Sequence, residues 1–126
     1  MGHENERRGY PRIQDDNVSL YVKVGPSDTM SHTLNISASG VYCKIDKELP
    51  IMSRVKVVLM IPLMAGNEKE ELKRLEVDGV VVRQHPVIID GKIKHYDVAI
   101  FFDDCSEKAR ELISHYIARR ANHKTA

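Results

Sequence analysis

The amino-acid sequence predicts a mainly β fold: a six-stranded antiparallel β-barrel with one C-terminal α-helix packed on it. Three observations lead there. Three short segments alternate apolar and polar residues with period two, the pattern of half-buried strands, and three further apolar-rich segments make six strands. Glycine, proline, serine and aspartate separate several of these segments as turns. Only the last segment carries its apolar residues at helical spacing. Closing the strands into a barrel removes the sheet edges that would otherwise invite aggregation.

Residues 1–17 are polar, with Gly9 and Pro11 opposing regular structure, and are expected to form a basic, flexible arm. The first strand follows, with Val18, Leu20, Val22 and Val24 on one face, and Gly25–Asp28 is expected to turn the chain. Leu34 and Ile36 alternate with Asn35 and Ser37 in the second strand. After Ser39-Gly40, the third turns Val41, Cys43 and Ile45 inward. Val55 to Ile61 is apolar enough for both faces to be covered, and Leu75 to Arg83 and His95 to Phe102 complete the six. The charged stretch Gly66 to Glu71 is expected to be a solvated loop. In the helix, Glu107 to Ala121, the residues Ala109, Leu112, Ile113, Tyr116 and Ile117 form one apolar stripe. Asp104 with Glu107, or Ser106 itself, can cap its start, and Arg119 and Arg120 suit the negative end of its dipole. The expected organisation is one barrel domain over residues 18–121, preceded by the arm and followed by a tail, 122–126.

The 126 residues suit one domain, since two halves would each bury too little core. A net charge of +1 argues against holding long nucleic acid by bulk electrostatics, so a ligand must be met by local charge. The longest apolar run, Val57 to Ala65, is nine residues and contains Pro62, whereas a bilayer needs roughly 20. The opening residues lack the apolar core of a signal peptide, and Glu6 stands where a myristoylation motif needs Ser or Thr. Cys43 and Cys105 lie 62 positions apart without a Cys-x-x-Cys, which fits a reducing cytoplasm. The histidines His3, His32, His85, His95, His115 and His123 show no metal-ligand spacing, so no metal site is expected. No nucleophile–base constellation points to an enzyme.

Two short stretches carry candidate chemistry. Arg7-Arg8-Gly9-Tyr10-Pro11-Arg12 places three arginines within six residues. Gly9 bends freely and Pro11 disfavours helix at Tyr10, so the stretch curls and can aim several guanidinium groups at one compact target. Each planar fork bonds bidentately to phosphate or to a guanine edge and stacks on bases. Taken alone, the stretch also fits a solvated basic tail. In Asn35-Ile36-Ser37-Ala38-Ser39-Gly40, strand alternation puts Asn35 and Ser37 on one outward face, about 6.5 Å apart. Gly40 permits either a positive φ or the close approach of a ligand. This stretch alone also fits an ordinary polar hairpin.

Together, Arg8-x-x-x-Arg12 and Asn35-x-Ser37-x-x-Gly40 resemble the paired signature of the PilZ domain family. Gly79-Val80-Val81-Val82-Arg83 looks like the family's late strand, and Asp97 to Asp103 with the following helix looks like its close. The resemblance spans about Glu6 to Arg120.

It implies a six-stranded barrel that receives cyclic di-GMP and needs no cofactor. Arg8 and Arg12 match the arginines that grip guanine and phosphate. Asn35, Ser37 and Gly40 match the motif that meets the guanine edge. Asn35 occupies a position that also takes Asp, and keeps one acceptor oxygen. Arg7 adds a cation, and leaves open one ligand molecule or a stacked pair. Many relatives carry Trp at the place of Val82, whereas this chain has none; Arg83 can partly substitute through its planar face.

The expected function is a cytoplasmic, non-enzymatic receptor, monomeric or weakly dimeric, whose arginine arm orders over the barrel on binding. It would signal to a separate protein partner in motility, biofilm or exopolysaccharide control, with no DNA or RNA bound and no membrane insertion. Two other functions fit a small barrel: a PilZ-like interaction module that binds no nucleotide, and an RNA-binding barrel using the arginine arm. Intact motifs argue against the first, and an aromatic content of 6% against the second.

Overall fold

The computed structural model describes residues 12–14, 18–24, 27–65 and 69–125. In chain order these form β1 (Arg12–Gln14), β2 (Ser19–Val24), β3 (Ser27–Ser37), β4 (Gly40–Ile45), β5 (Arg54–Ala65), β6 (Lys69–Ile89), β7 (Lys92–Asp104) and α1 (Glu107–Thr125). All strand pairs are antiparallel. β3 pairs β2 along its first half and β4 along its second, so the ladder β2-β3-β4-β7-β6-β5 returns to β2. These are the six expected barrel strands. β1 is a seventh, added beside the end of β3.

The inward positions follow from the alternation. Leu20 and Val22 of β2, Val41, Cys43 and Ile45 of β4, and Val98 and Ile100 of β7 are all buried in one core. Val57, Val58 and Leu59 are buried in succession, so β5 is covered on both faces as its composition predicts. Leu49 enters the core from the β4–β5 connection, and its amide is met by the Gln84 side-chain oxygen. The helix contributes Ala109, Ile113, Tyr116 and Ile117 to the same core and packs on β1, β3 and β5. Ser106 is its N-cap, with its Oγ accepting from the Ala109 amide at 3.1 Å.

Several elements depart from expectation, each for a visible reason. The arm expected over residues 1–17 contains a strand at Arg12–Gln14, because β3 offers an edge there. Gly25–Asp28 does not turn as a unit: Ser27 and Asp28 belong to β3 and pair with Val24 and Lys23. The first half of β3 escaped the alternation because its inward residues, Thr29 and Ser31, carry hydroxyls. Both are buried and satisfied, Thr29 Oγ1 donating to Asp46 Oδ1 at 2.9 Å and Ser31 Oγ to the Lys44 carbonyl. The charged stretch at 66–71 is in part strand, since Lys69, Glu70 and Glu71 pair with Ala65, Met64 and Leu63. The tail expected over 122–126 is helical as far as Thr125.

β6 is 21 residues long, roughly 70 Å of strand, and overshoots the ring at both ends. Asp90 and Gly91 turn it into β7 with φ of 55° and 77°, the pair of positive values that a two-residue hairpin favours.

Burial pushes the Cys43 thiol up to about 12, with the Asp97 charge adding to the effect. Burial also raises Cys105, opposed by Arg110 and helped by Asp104. Unfolded Cys43 loses its proton near 9.0 and native Cys43 near 12, so its contribution to stability is full below the first value and lost as pH rises towards the second. At pH 8 an alkylating reagent should label Cys105 slowly and Cys43 only after denaturant opens the barrel. Equal labelling rates for both thiols in the native protein would show that the core around Cys43 is accessible.

Candidate functional site

The barrel interior is filled by side chains, so a ligand surface has to lie on the outer wall. Strand pairing assembles one there. Residues opposite each other in an antiparallel ladder share a face. One row runs Gln14–Asn35–Tyr42–Ala99–Arg83 across β1, β3, β4, β7 and β6. The next runs Arg12–Ser37–Gly40–Phe101–Val80 across the same strands. Val41, Cys43, Val98 and Ile100 point into the core, so Gly40, Tyr42, Ala99 and Phe101 face outward.

β1 therefore sets the two sequence motifs side by side: Arg12 is in register with Ser37, and Gln14 with Asn35. Arg7 and Arg8 lie outside the described residues. Asn35 is half-buried. Ser37 departs from the outward exposure expected of it, because it is only 1% exposed. Its Oγ lies 3.0 Å from Ser39 Oγ and accepts from the Ser39 amide at 3.1 Å, so the hydroxyl holds the Ala38-Ser39 turn that joins β3 to β4.

Gly40 is needed for space rather than for a positive φ. It is a strand residue, and a Cβ there would stand 2.5 Å from the Ile100 carbonyl oxygen. The close partner there is the β7 backbone.

Arg83 reaches the outer face through a bulge. Strict alternation from the buried Val81 would turn Arg83 inward. Instead the register steps between Val81↔Ile100 and Arg83↔Ala99, leaving Val82 as the extra residue. Val82 and Arg83 are consequently both exposed, Val82 at 48%. Tyr42 sits two strands away in the same row, and its hydroxyl donates to the Asp97 carboxylate. Burial raises the Tyr42 pKa first, the Asp97 charge raises it further, and the Arg83 charge opposes both. His95 Nε2 lies 3.1 Å from Asp97 Oδ1, extending this polar group along the wall. Among the described residues, no cluster of His, Cys, Asp or Glu side chains could hold a metal ion. Nor, among them, is any helix long and apolar enough to cross a membrane.

Tyr42, Asp97 and Phe101 are wall residues that motif reading passed over. Strand phase could have found them. Tyr42 is two positions after Gly40, and in Ile100-Phe101-Phe102 only one phenylalanine can face the core. Phe102 does so at 1% exposure, and Phe101 is left outside at 49%.

A closed ring of six antiparallel strands with a helix after the last strand, and β1 setting Arg12 in register with Ser37, defines a small class of barrel. The chain belongs to the PilZ domain family, whose model matches residues 6–119. Curated proteins give no sequence match. Among solved structures, the inhibitor of motility MotI/DgrA of Bacillus subtilis superposes with a TM-score of 0.77 at 16% identity, over 95% of this chain and 54% of its own. The PilZ domain of YcgR from Escherichia coli, solved with c-di-GMP, gives 0.64 at 16% identity, over 94% of this chain and 97% of the domain. The MrkH–c-di-GMP complex of K. pneumonia gives 0.67 at 14% identity, over 92% of this chain and 53% of its own. The chain thus spans about half the length of MotI/DgrA and of MrkH.

Gly40→Ala should destabilise the unliganded protein by about 1–3 kcal/mol, because the new methyl meets backbone that cannot step aside. Urea denaturation measures this. Unchanged stability would return Gly40 to the role of a ligand-contact position.

Proposed function

We propose that this chain is a non-enzymatic receptor for cyclic di-GMP that acts in the cytoplasm and passes the signal to a protein partner. The observation that carries the reading is the β1–β3 register, which sets Arg12 opposite Ser37 and Gln14 opposite Asn35. Membership of the PilZ family supports it, as do the c-di-GMP complexes of the similarly folded YcgR domain and MrkH. Two free cysteines fit the compartment.

The ligand offers two phosphates and two guanines, each guanine with O6 and N7 acceptors and N1 and N2 donors. Arg8 and Arg12 supply bidentate donors to phosphate and to the O6/N7 edge. Asn35, half-buried in the neighbouring row, supplies an acceptor for the opposite guanine edge. Arg7 and Arg83 flank the pair with further planar cations. Ser37 and Gly40 hold the β3–β4 turn and the β4–β7 approach that keep Asn35 in place. Binding draws the segment carrying Arg7 and Arg8 onto the barrel wall. Fixing it costs roughly 1–2 kcal/mol per backbone residue, which several charge-assisted bonds must offset. The wall then presents a different charge and shape to a partner. The resemblance to an inhibitor of motility makes a motility component one candidate output.

Isothermal titration with cyclic di-GMP should give saturable binding of one or two molecules per chain, with GTP and cyclic di-AMP much weaker. Arg12→Ala should cost at least about tenfold in affinity, since it removes a charged hydrogen-bond donor. No heat up to about 100 μM ligand at two temperatures would overturn the receptor reading and leave a protein-interaction module. Wild-type affinity in Arg12→Ala would overturn the site assignment.

A further inference from the structure

The phase of β7 turns residue 101 outward, and nothing about an outward position calls for a phenylalanine. Phe101 stands outward on β7 and is 49% exposed, while its neighbour Phe102 fills the core. A half-exposed phenylalanine forgoes part of the free energy that burial would return. Its partner on β4 is Gly40, which has no side chain, and the outward residues either side of it on β7 are Ala99 and Asp103, the latter ion-paired with Arg54. On the β6 side it pairs with Val80, with the exposed bulge residue Val82 beyond. Towards β4 the ring is bordered by small residues, the buried Gly40 and the half-buried Ala99. Polar residues share this part of the wall: Asn35 and Tyr42 in the row of Ala99 on one side and Arg83 on the other.

A flat aromatic surface beside small residues, with planar donors and acceptors in the neighbouring row, matches a planar heteroaromatic ring. We propose that Phe101 is the base-stacking surface of the site: one purine of the ligand lies against its ring over Gly40 and Ala99, with the Arg83 guanidinium at its edge. The inference rests on the receptor reading above and adds to it a residue outside both sequence motifs. It also gives a chain without tryptophan an aromatic platform, on β7 rather than at Val82 on β6.

The test uses the full chain and cyclic di-GMP. Phe101→Ala should weaken binding roughly 5- to 150-fold, the range for loss of one base–aromatic stack. Phe101→Leu should do the same, because it keeps apolar bulk but lacks a π-face. Phe101→Trp should bind at least as well as the wild type, and its indole, the only one in the protein, should be quenched as ligand is added. Phe101 is exposed, so circular dichroism should show all three variants folded. Wild-type affinity in Phe101→Ala, Leu equal to Trp, or indole emission unchanged at saturation would each overturn the inference while leaving the receptor reading intact. If the wild-type chain itself binds no cyclic di-GMP, the receptor reading fails first, and the inference with it.

Discussion

The structure turns on how closely β7 is gripped by its two neighbours. Gly40 on β4 and Gly79 on β6 flank the same short stretch of β7, and each lacks a Cβ where one would collide with it. The added carbon would lie 2.5 Å from the Ile100 oxygen at Gly40, and 2.6 Å from Ile100 Cγ2 and 2.9 Å from the Phe101 oxygen at Gly79. A main-chain bond from the Phe102 amide to the Ser39 carbonyl, 2.9 Å, draws the turn before β4 to the same place. Six strands close into a small ring only if some pairs come this near. The clamp fixes the phase of β7, so Ile100 and Phe102 enter the core and Phe101 is forced out.

That phase then determines the wall. With Phe101 outward, Ala99 and Asp97 are outward too, and Tyr42 comes opposite Ala99 with its hydroxyl on Asp97. β6 would break the pattern, because Arg83 falls on an inward beat after Val81. The extra residue at Val82 restores it and puts a guanidinium beside the row. A bulge at this point is a device for aiming one side chain, and its product is the group of Asn35, Tyr42 and Arg83 in line across the sheet.

Much of this was legible in the residues. Val41, Cys43 and Ile45 alternate cleanly and fix β4; the periodic stripe fixes α1; the spacing of Arg8, Arg12, Asn35, Ser37 and Gly40 points to the family. What escaped was set by neighbours rather than by local pattern. β1 is three residues long and exists because β3 has a free edge beside Ser37. The first half of β3 hides behind inward Thr29 and Ser31, whose hydroxyls donate to Asp46, just after β4, and to the Lys44 carbonyl near its end. Asp90-Gly91 was a local hairpin signal that went unread. A bulge cannot be read from alternation at all, since Val80, Val81 and Val82 are alike and only the register with β7 singles out the last.

If the proposed ligand binds the outer wall of a filled barrel, the core need not move to report it. A ligand inside a cavity reports its presence by moving the walls, and this core has side chains of Leu20, Ile36, Ile100 and Phe102 where such a cavity would be. Packed interiors transmit strain but resist remodelling. On the wall, no core rearrangement is required. On the proposed receptor reading, a bound nucleotide would become part of that outer surface and change its charge, shape and apolar area in one step. The core then has only to keep β3, β4, β6 and β7 in register, and the glycine clamp around Ile100 performs that task. Recognition and output can therefore share one face, and the barrel can remain rigid while its surface changes.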